Sequence, residues 1–328
     1  MEPGEVAVAE KEHPFYRYYG QLSHQQNMLQ DSVRTGTYYN AVCYNVKDFE
    51  GKVVLDVGTG SGILSLFAAQ AGAKKVYAVE CSGMVRYARR LVKENGYDEI
   101  IKVILGKVEE VELPEKVDVI ISEPMGFFLV HERMLESYIT ARNRFLKPEG
   151  QMFPAIGVMH VSVFSDDGLY KEIKGKSKFW NNEDFYGFDI TTLKEDAQRE
   201  AFNQPVVGYI PVETLVTATT CTHQIDFEKD SLESLYHIQI PLEFCITVTS
   251  LLHGLACWFD VTFKGSSAEI VLSTAPYSSG THWYQCRFCF EQPIAVNVGQ
   301  MVKGMLDLKV NDDKSYDVTA ECKRRGRE

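Results

Sequence analysis

The hydrophobic positions of this chain change rhythm twice. From residue 50 to about 150, short β-branched runs alternate with amphipathic stretches. Lys52–Val57, Lys75–Val79, Ile101–Leu105 and Val117–Ser122 read as strands, buried because they are almost continuously apolar. Ile63–Ala71 reads as a helix closed by Gly72, Met84–Glu94 as one ending at Asn95-Gly96, and Arg133–Arg144 as a third. Strand–helix alternation of this kind predicts a parallel sheet wrapped on both faces, a doubly wound α/β unit. After Pro148-Glu149-Gly150 the period drops to that of strands: Val158–Phe164, Leu215–Phe227, Leu235–Ile240, Phe244–Thr249, Ala256–Phe263, Glu269–Ser273, Tyr284–Phe290, Gly304–Val310 and Tyr316–Glu321. Such a series predicts a sandwich or barrel. Leu169–Phe202 interrupts it with a helical pattern carrying Phe179-Trp180 and Phe185-Tyr186, either an interface or a helical pair packed on its own domain. Ahead of the α/β unit, residues 13 to about 48 are aromatic and polar, and Leu22–Arg34, free of breakers, reads as one helix.

Composition narrows the class. Apolar content of 45% and charged content of 24% are those of a globular protein with sizeable cores. A formal charge of −11 argues against direct nucleic-acid binding and suits cationic substrates. The window Gly106–Glu136 sharpens this, with eight Asp or Glu against three Lys or Arg. Of eight cysteines only Cys286 and Cys289 come close together, in a strand-like run whose positions three apart face opposite ways. No second Cys or His cluster accompanies them, so no metal is expected. The N-terminal residues have neither the basic start nor the apolar core of a signal peptide, and no run is long enough for a membrane helix. A reducing compartment, cytoplasm or nucleus, is expected.

Two constellations carry candidate chemistry. Asp56-Val57-Gly58-Thr59-Gly60-Ser61-Gly62 is a glycine turn of spacing GxGxG at the end of an apolar strand. It differs from the GxGxxG of dinucleotide sites, has no phosphate-binding Lys, and its Asp56 disfavours a diphosphate. Glu80 ends the next strand, 24 residues after Asp56, where an acid can accept both ribose hydroxyls. Acids around a nucleoside site suit a cofactor with a positive centre and a free ammonium, as in S-adenosylmethionine. Glu109, just past the third strand, can reach an adenine edge. The second constellation is Ser122-Glu123-Pro124-Met125-Gly126 followed by Glu132. Two nearby carboxylates repel, and a planar guanidinium is the cation that best holds both ionised. Thr281-His282-Trp283, in a loop ahead of a strand, offers a proton acceptor and an aromatic wall.

These segments, with Val33-Arg34-Thr35, resemble the protein arginine N-methyltransferases. Gln25-Gln26-Asn27-Met28, the Glu123 loop and Glu132-Arg133-Met134-Leu135-Glu136-Ser137-Tyr138 resemble the coactivator-associated branch most. The resemblance runs from about Phe15 to Ala320. It implies a helical segment over residues 1–48 capping the cofactor site, a Rossmann-like S-adenosylmethionine domain over 49–152, and a β-barrel over 153–328. A dimerisation arm, about 168–205, would be inserted in the barrel. Carried across, Arg34 pairs with the cofactor carboxylate, Gln25, Gly58 and Gly60 lie along its amino acid part and ribose, and Glu80 holds the ribose. Glu109 and Ser137 take the adenine, with Asp56, Tyr16 and Met28 also at the cofactor. Glu123 and Glu132 would bind the substrate guanidinium, His282 and Asp31 would form a proton-accepting pair, and Tyr19, Met125, Met134 and Trp283 would line the substrate pocket. Met28 implies type I chemistry, ending in asymmetric dimethylarginine. Histone tails and RNA-binding proteins are the implied substrates, in nucleus and cytoplasm, with a homodimer as the assembly.

The sequence departs from the family at Phe15-Tyr16, where Tyr-Phe is usual, at Phe127 for Tyr, Cys81 for Ala and Thr59 for Cys. None removes a charge the chemistry needs. The accessory regions at either end of the coactivator branch are not in this sequence, and recruitment to chromatin is not inferred. A small-molecule methyltransferase would explain the glycine turn but neither the paired acids nor the β domain. A catalytically dead scaffold would sit poorly with intact Glu123, Glu132 and Asp56.

Overall fold

The computed structural model describes the backbone of residues 14–324 and the side chains of 17–323. Helices α1 (Pro14–Tyr19), α2 (Leu22–Gln30), α3 (Ser32–Cys43) and α4 (Val46–Phe49) come first. The α/β unit follows as β1 (Val53–Val57), α5 (Ile63–Gln70), β2 (Lys75–Glu80), α6 (Val85–Glu94), β3 (Ile101–Leu105), β4 (Val117–Ser122), α7 (Met134–Phe145) and β5 (Leu146–Phe153). Its five strands pair in parallel in the order β3-β2-β1-β4-β5. The order reverses between β1 and β4, so a crevice opens beyond their carboxyl ends. β1 is buried along its whole length, which is why it reads as a continuous apolar run.

In the first half of the chain two elements differ from the sequence reading. Leu22–Arg34 is not one helix: Asp31, extended at φ −67° and ψ 95°, ends α2 and caps α3 by accepting from Arg34 N at 2.9 Å. An N-cap Asp inside a run without Gly or Pro carries the break. β5 was not expected at all, because Pro148-Glu149-Gly150 read as a boundary. It survives there because β5 is an edge strand and its register with β4 shifts across those residues.

The second domain comprises β6 (Ile156–Phe164), α8 (Asp167–Lys176), α9 (Lys194–Phe202), β7 (Val206–Gly208), β8 (Cys221–Asp226), β9 (His237–Cys245), β10 (Ser250–Lys264), β11 (Glu269–Ser273), β12 (Gln285–Val296), β13 (Met301–Val310) and β14 (Tyr316–Arg324). They form an antiparallel sheet along β7-β12-β10-β6-β8, with β11 on β10, and a second sheet β14-β13-β9, together a barrel. The two strands read around Leu235–Ile240 and Phe244–Thr249 are a single β9 with Pro241 inside it, tolerated on a sheet edge. α8 and α9 project as an arm whose tip exposes Phe179, Phe185, Tyr186 and Phe188, the last two at 89% and 73%. No helix among the described residues is long and apolar enough to cross a membrane.

The two domains share one apolar core. Tyr38 of α3 packs edge-on against Phe263 of β10, and Phe49 against Phe153 at the end of β5. Buried Asn45 rivets this junction: its amide donates to the carbonyls of Ala41 and Ala268, both at 2.9 Å, and accepts from Ser267 N and Ala268 N. Asn45→Ala should strand those backbone groups and cost about 2 kcal/mol or more, read as a lower midpoint of urea unfolding; an unchanged midpoint would contradict this role.

Candidate active site

A cavity of about 810 Å³ lies over the carboxyl ends of β1 and β4, roofed by α2 and the start of α3 and walled on one side by the barrel. At its deeper end is the glycine turn. Gly58, Gly60 and Gly62 have φ of 67°, 54° and 88°, a region β-carbons disfavour. A side chain on Gly58 would collide with Met134, and one on Gly60 would meet Gln25 Oε1 at 2.6 Å. Gln25 spans the turn, accepting from Ser61 N at 3.2 Å and donating to the Tyr19 carbonyl at 3.2 Å. Glu80 accepts from Gly60 N and Ser82 N, both at 2.8 Å, with its carboxylate on the cavity wall. Glu109 and Ser137 meet at 2.5 Å near the mouth.

Asp56 was expected to face a cofactor; it does not line the cavity. It is wholly buried and accepts from the hydroxyls of Thr59 at 2.5 Å and Ser65 at 2.7 Å. Burial pushes its carboxyl up to about 6, against the downward pull of those two hydroxyls. Its work is to tie the turn to α5, and Thr59, which replaces the family's usual Cys, supplies one of the ties.

The acidic end of the cavity is built on a strained loop. Phe128, Leu129, Glu132 and Arg133 have φ of 48°, 71°, 73° and 59°, each in the left-handed region that costs a side chain of order 1 kcal/mol. Gly126 lets the loop fold back: a β-carbon there would overlap the His131 carbonyl. Glu123 and Glu132 therefore both line the cavity. Each already has an internal donor. Arg34 sets Nε and Nη2 at 3.0 Å from Glu123 Oε2, and Tyr19 places its hydroxyl 2.8 Å from both oxygens of Glu132. Burial pushes the Glu132 carboxyl up to about 7; the Tyr19 hydroxyl opposes the rise and the Glu123 charge adds to it. Burial, then the charge and hydrogen bond of Glu132, hold the Tyr19 hydroxyl far above its ordinary value.

His282 comes from the barrel. Its Nδ1 lies 2.7 Å from Asp31 Oδ2, which also accepts from His282 N at 2.8 Å. Burial works to raise the Asp31 carboxyl, but the His282 and Arg34 hydrogen bonds prevail and leave it below the ordinary carboxylate range. The helix break at Asp31 is thus what lets one side chain cap α3 and hold the histidine. Trp283 lines the cavity beside His282. It is mostly buried, at 4% exposure, and its indole donates to the Met125 carbonyl at 2.8 Å, so it also braces the loop. Met125 and Met134 both line the cavity; Met125 is buried and receives the Tyr38 hydroxyl at its sulfur, and Met134 lies against Gly58. Met28 lines the cavity from α2. The Tyr16 side chain lies outside the described residues. Tyr209, Tyr284 and Lys314 also line the cavity from the barrel; nothing in their local sequence marked them, because only the chain's return brings them there. Among the described residues no group of three or more His, Cys, Asp or Glu is arranged to hold a metal ion.

A parallel sheet with a glycine turn after β1 and a nucleoside-sized cavity at the switch point defines the class, a methyltransferase domain joined to a barrel. Residues 54–150 match the family model described as a methyltransferase domain, and residues 155–324 that of the arginine methyltransferase oligomerization subdomain. The chain is 53% identical over 315 residues to the probable histone-arginine methyltransferase 1.3 of Arabidopsis thaliana, covering 95% of this chain and 59% of that protein. It is 51% identical to the histone-arginine methyltransferase CARMER of Drosophila erecta, over 94% of this chain and 58% of that one. It thus spans 58–59% of the length of these relatives. Among solved structures it superposes on Arabidopsis thaliana protein arginine methyltransferase 10 with a TM-score of 0.87 at 36% identity, covering 94% of each chain. For the Trypanosoma brucei PRMT1 enzyme-prozyme heterotetrameric complex with AdoHcy the TM-score is 0.86 at 33% identity, covering 94% of this chain and 95% of that one. The chain belongs to the protein arginine methyltransferase family.

Because Gly126 touches the His131 backbone, Gly126→Ala should push the Glu132 segment out of place while sparing the sheet. Hydrogen exchange over residues 126–133 should rise with no change in β1 and β4; an unaltered pattern would contradict the close approach.

Proposed function

We propose that this chain is a type I protein arginine methyltransferase, forming mono- and then asymmetric dimethylarginine in proteins, histone tails and RNA-binding proteins among them. The observation that carries this reading is one cavity with a glycine turn at one end and two carboxylates, Glu123 and Glu132, at the other. The names of the relatives, histone-arginine methyltransferases, support the substrate class and action in the nucleus; action in the cytoplasm is part of the proposal. The exposed aromatic tip of the arm supports a homodimer formed through it.

The residues present fit S-adenosylmethionine. Gly58 and Gly60 leave a backbone cradle that β-carbons would fill. Arg34 would hold the cofactor carboxylate, Glu80 the ribose hydroxyls, and Glu109 with Ser137 the adenine, each being on the cavity wall. When bound, the cofactor supplies a methyl group activated by a sulfonium.

The chain's own residues do the rest. A guanidinium is a poor nucleophile, its charge shared over three nitrogens and its pKa above ~12. Glu123 and Glu132 take its N–H groups in a partly dry pocket, draw the positive charge toward themselves and fix the orientation of the attacking nitrogen. Tyr19 holds the Glu132 oxygens, and Asp31 holds His282 so that the imidazole can take the proton released on transfer. Met28 is on the cavity wall, and in this reading it would leave room for a second methyl on the same nitrogen.

Glu132→Gln keeps the shape of the side chain and removes its charge. Turnover of an arginine peptide should fall about a hundredfold to a thousandfold, with S-adenosylhomocysteine binding retained; turnover near the parent's would refute the role. Mass spectrometry of the parent's product should show asymmetric dimethylarginine, and symmetric product would overturn the type I reading.

The Glu132 carboxyl, raised to about 7, has to ionise before it grips a cation. kcat/KM reports the free enzyme, so it should climb as pH rises through about 7 and fall about tenfold per pH unit well below that. Tyr19→Phe deletes the hydrogen bond that lowers this carboxyl and should move the acid limb to higher pH. Initial rates between pH 5.5 and 9 (roughly the range that brackets the limb) test the sign: an acid limb displaced downward would contradict it.

A further inference from the structure

Glu132 points into the cavity from a backbone that side chains rarely adopt, and so do its neighbours Arg133, Leu129 and Phe128. A segment of this kind stays in place only if something outside it holds it. Hydrogen bonds within the loop run between Gly126 and Leu129 and from Arg133 N to the Val130 carbonyl. They shape the turn but do not anchor it to the rest of the molecule.

Phe128, Leu129 and Val130 are buried in the core, Trp283 holds the Met125 carbonyl and Tyr19 holds the Glu132 carboxylate itself; the backbone at Glu132 is tied to the barrel through Arg133, the next residue. Its guanidinium faces two elements at once. Nε and Nη2 lie 2.6 and 3.0 Å from the two oxygens of Glu136 on α7, and Nη1 donates to the Asn311 carbonyl at 2.8 Å. Asn311 opens the turn between β13 and β14, 178 residues further along the chain. That turn is itself stiff: Asn311 Oδ1 accepts from Asp313 N and Ser315 N, and its amide donates to Asp317. The same turn reaches the loop a second time through Ser315, whose hydroxyl lies 2.8 Å from His131 Nδ1. One barrel hairpin thus holds the residues on both sides of Glu132, which leaves its carboxylate little freedom to swing away from Glu123.

We propose that Arg133 is a positioning residue for Glu132, and that the β13–β14 turn is the abutment it pulls against. The inference rests on the arginine-methylation reading above. Arg133 acts through geometry, since Glu136 already balances its charge at the rim. A planar fork with donors in three directions is needed to take a bidentate carboxylate and a carbonyl together. Lysine keeps the charge and much of the length but cannot make all three bonds.

The test compares the parent with Arg133→Lys and Ser315→Ala by three measurements: peptide methylation against pH, equilibrium binding of S-adenosylhomocysteine, and hydrogen-exchange mass spectrometry. For Arg133→Lys we expect kcat for an arginine peptide to fall at least tenfold and the acid limb of kcat/KM to move. Affinity for S-adenosylhomocysteine should stay within twofold, and exchange should rise in residues 126–133 and 311–315 alone. Ser315→Ala should raise exchange in the same two segments by less, and the double variant should lose less than the two separate losses combined, because both act on one anchor. Unchanged exchange in those segments with turnover within twofold of the parent overturns the proposal. So does a loss of turnover matched by loss of cofactor-product binding or a general rise in exchange, since that would make Arg133 merely structural. A parent without methylation activity whose variant still shows the two-segment rise leaves the anchor standing and removes the functional reading on which its catalytic meaning rests.

Discussion

Two carboxylates placed in a partly dry cavity repel each other and favour protonation, and keeping them together is the constraint around which this molecule is arranged. The chain meets it with internal donors. Arg34 sits on Glu123 and the Tyr19 hydroxyl on Glu132. Both donors come from the N-terminal helices that roof the cavity, so the cap and the acids hold each other in place. The Glu132 carboxyl, raised to about 7, records how incompletely burial and the Glu123 charge are offset by the Tyr19 hydroxyl.

The barrel supplies what the α/β domain lacks. Its loop after β11 brings the Trp283 indole to the Met125 carbonyl and His282 to Asp31. Its last hairpin reaches Arg133 and His131. Three separate points of the second domain therefore grip a loop or helix break of the first, close to the strained backbone of residues 128–133. The shared aromatic core of Tyr38, Phe263, Phe49 and Phe153, with Asn45 beside it, makes the two domains stiff enough for those grips to matter. Precision at the acids is in this sense a property of the domain junction.

Much of this was legible in the chain. The β1 run ending in Gly58-Thr59-Gly60-Ser61-Gly62, the acid at the end of β2 and the acids around Pro124-Met125-Gly126 all lie close in sequence to the element that presents them. Local signals suffice where local backbone positions the group. Readings fell short where the partner a side chain takes was not evident from the pattern, even when it lies close in sequence. Asp56 reads as a cavity acid but turns inward, where it accepts from the hydroxyls of Thr59 and Ser65. Trp283 reads as an aromatic wall and does line the cavity, but its hydrogen bond to the Met125 carbonyl, 158 residues away in the chain, had no local signal. The break at Asp31 went unread because an aspartate in a polar run looks like a helix surface unless its cap partner is known.

By itself the sequence determined the two kinds of domain, the order of the α/β elements up to α7, the glycine cradle and the paired acids as candidates, since periodicity and turn chemistry act over a few residues. Only the tertiary structure decided that Glu132 would stand in a left-handed backbone, that Asp31 would serve both a helix and a histidine, and that a hairpin 178 residues away would hold Arg133. Those outcomes depend on groups meeting across the domain junction. No pattern along the chain encodes such a meeting until both folded units are packed together.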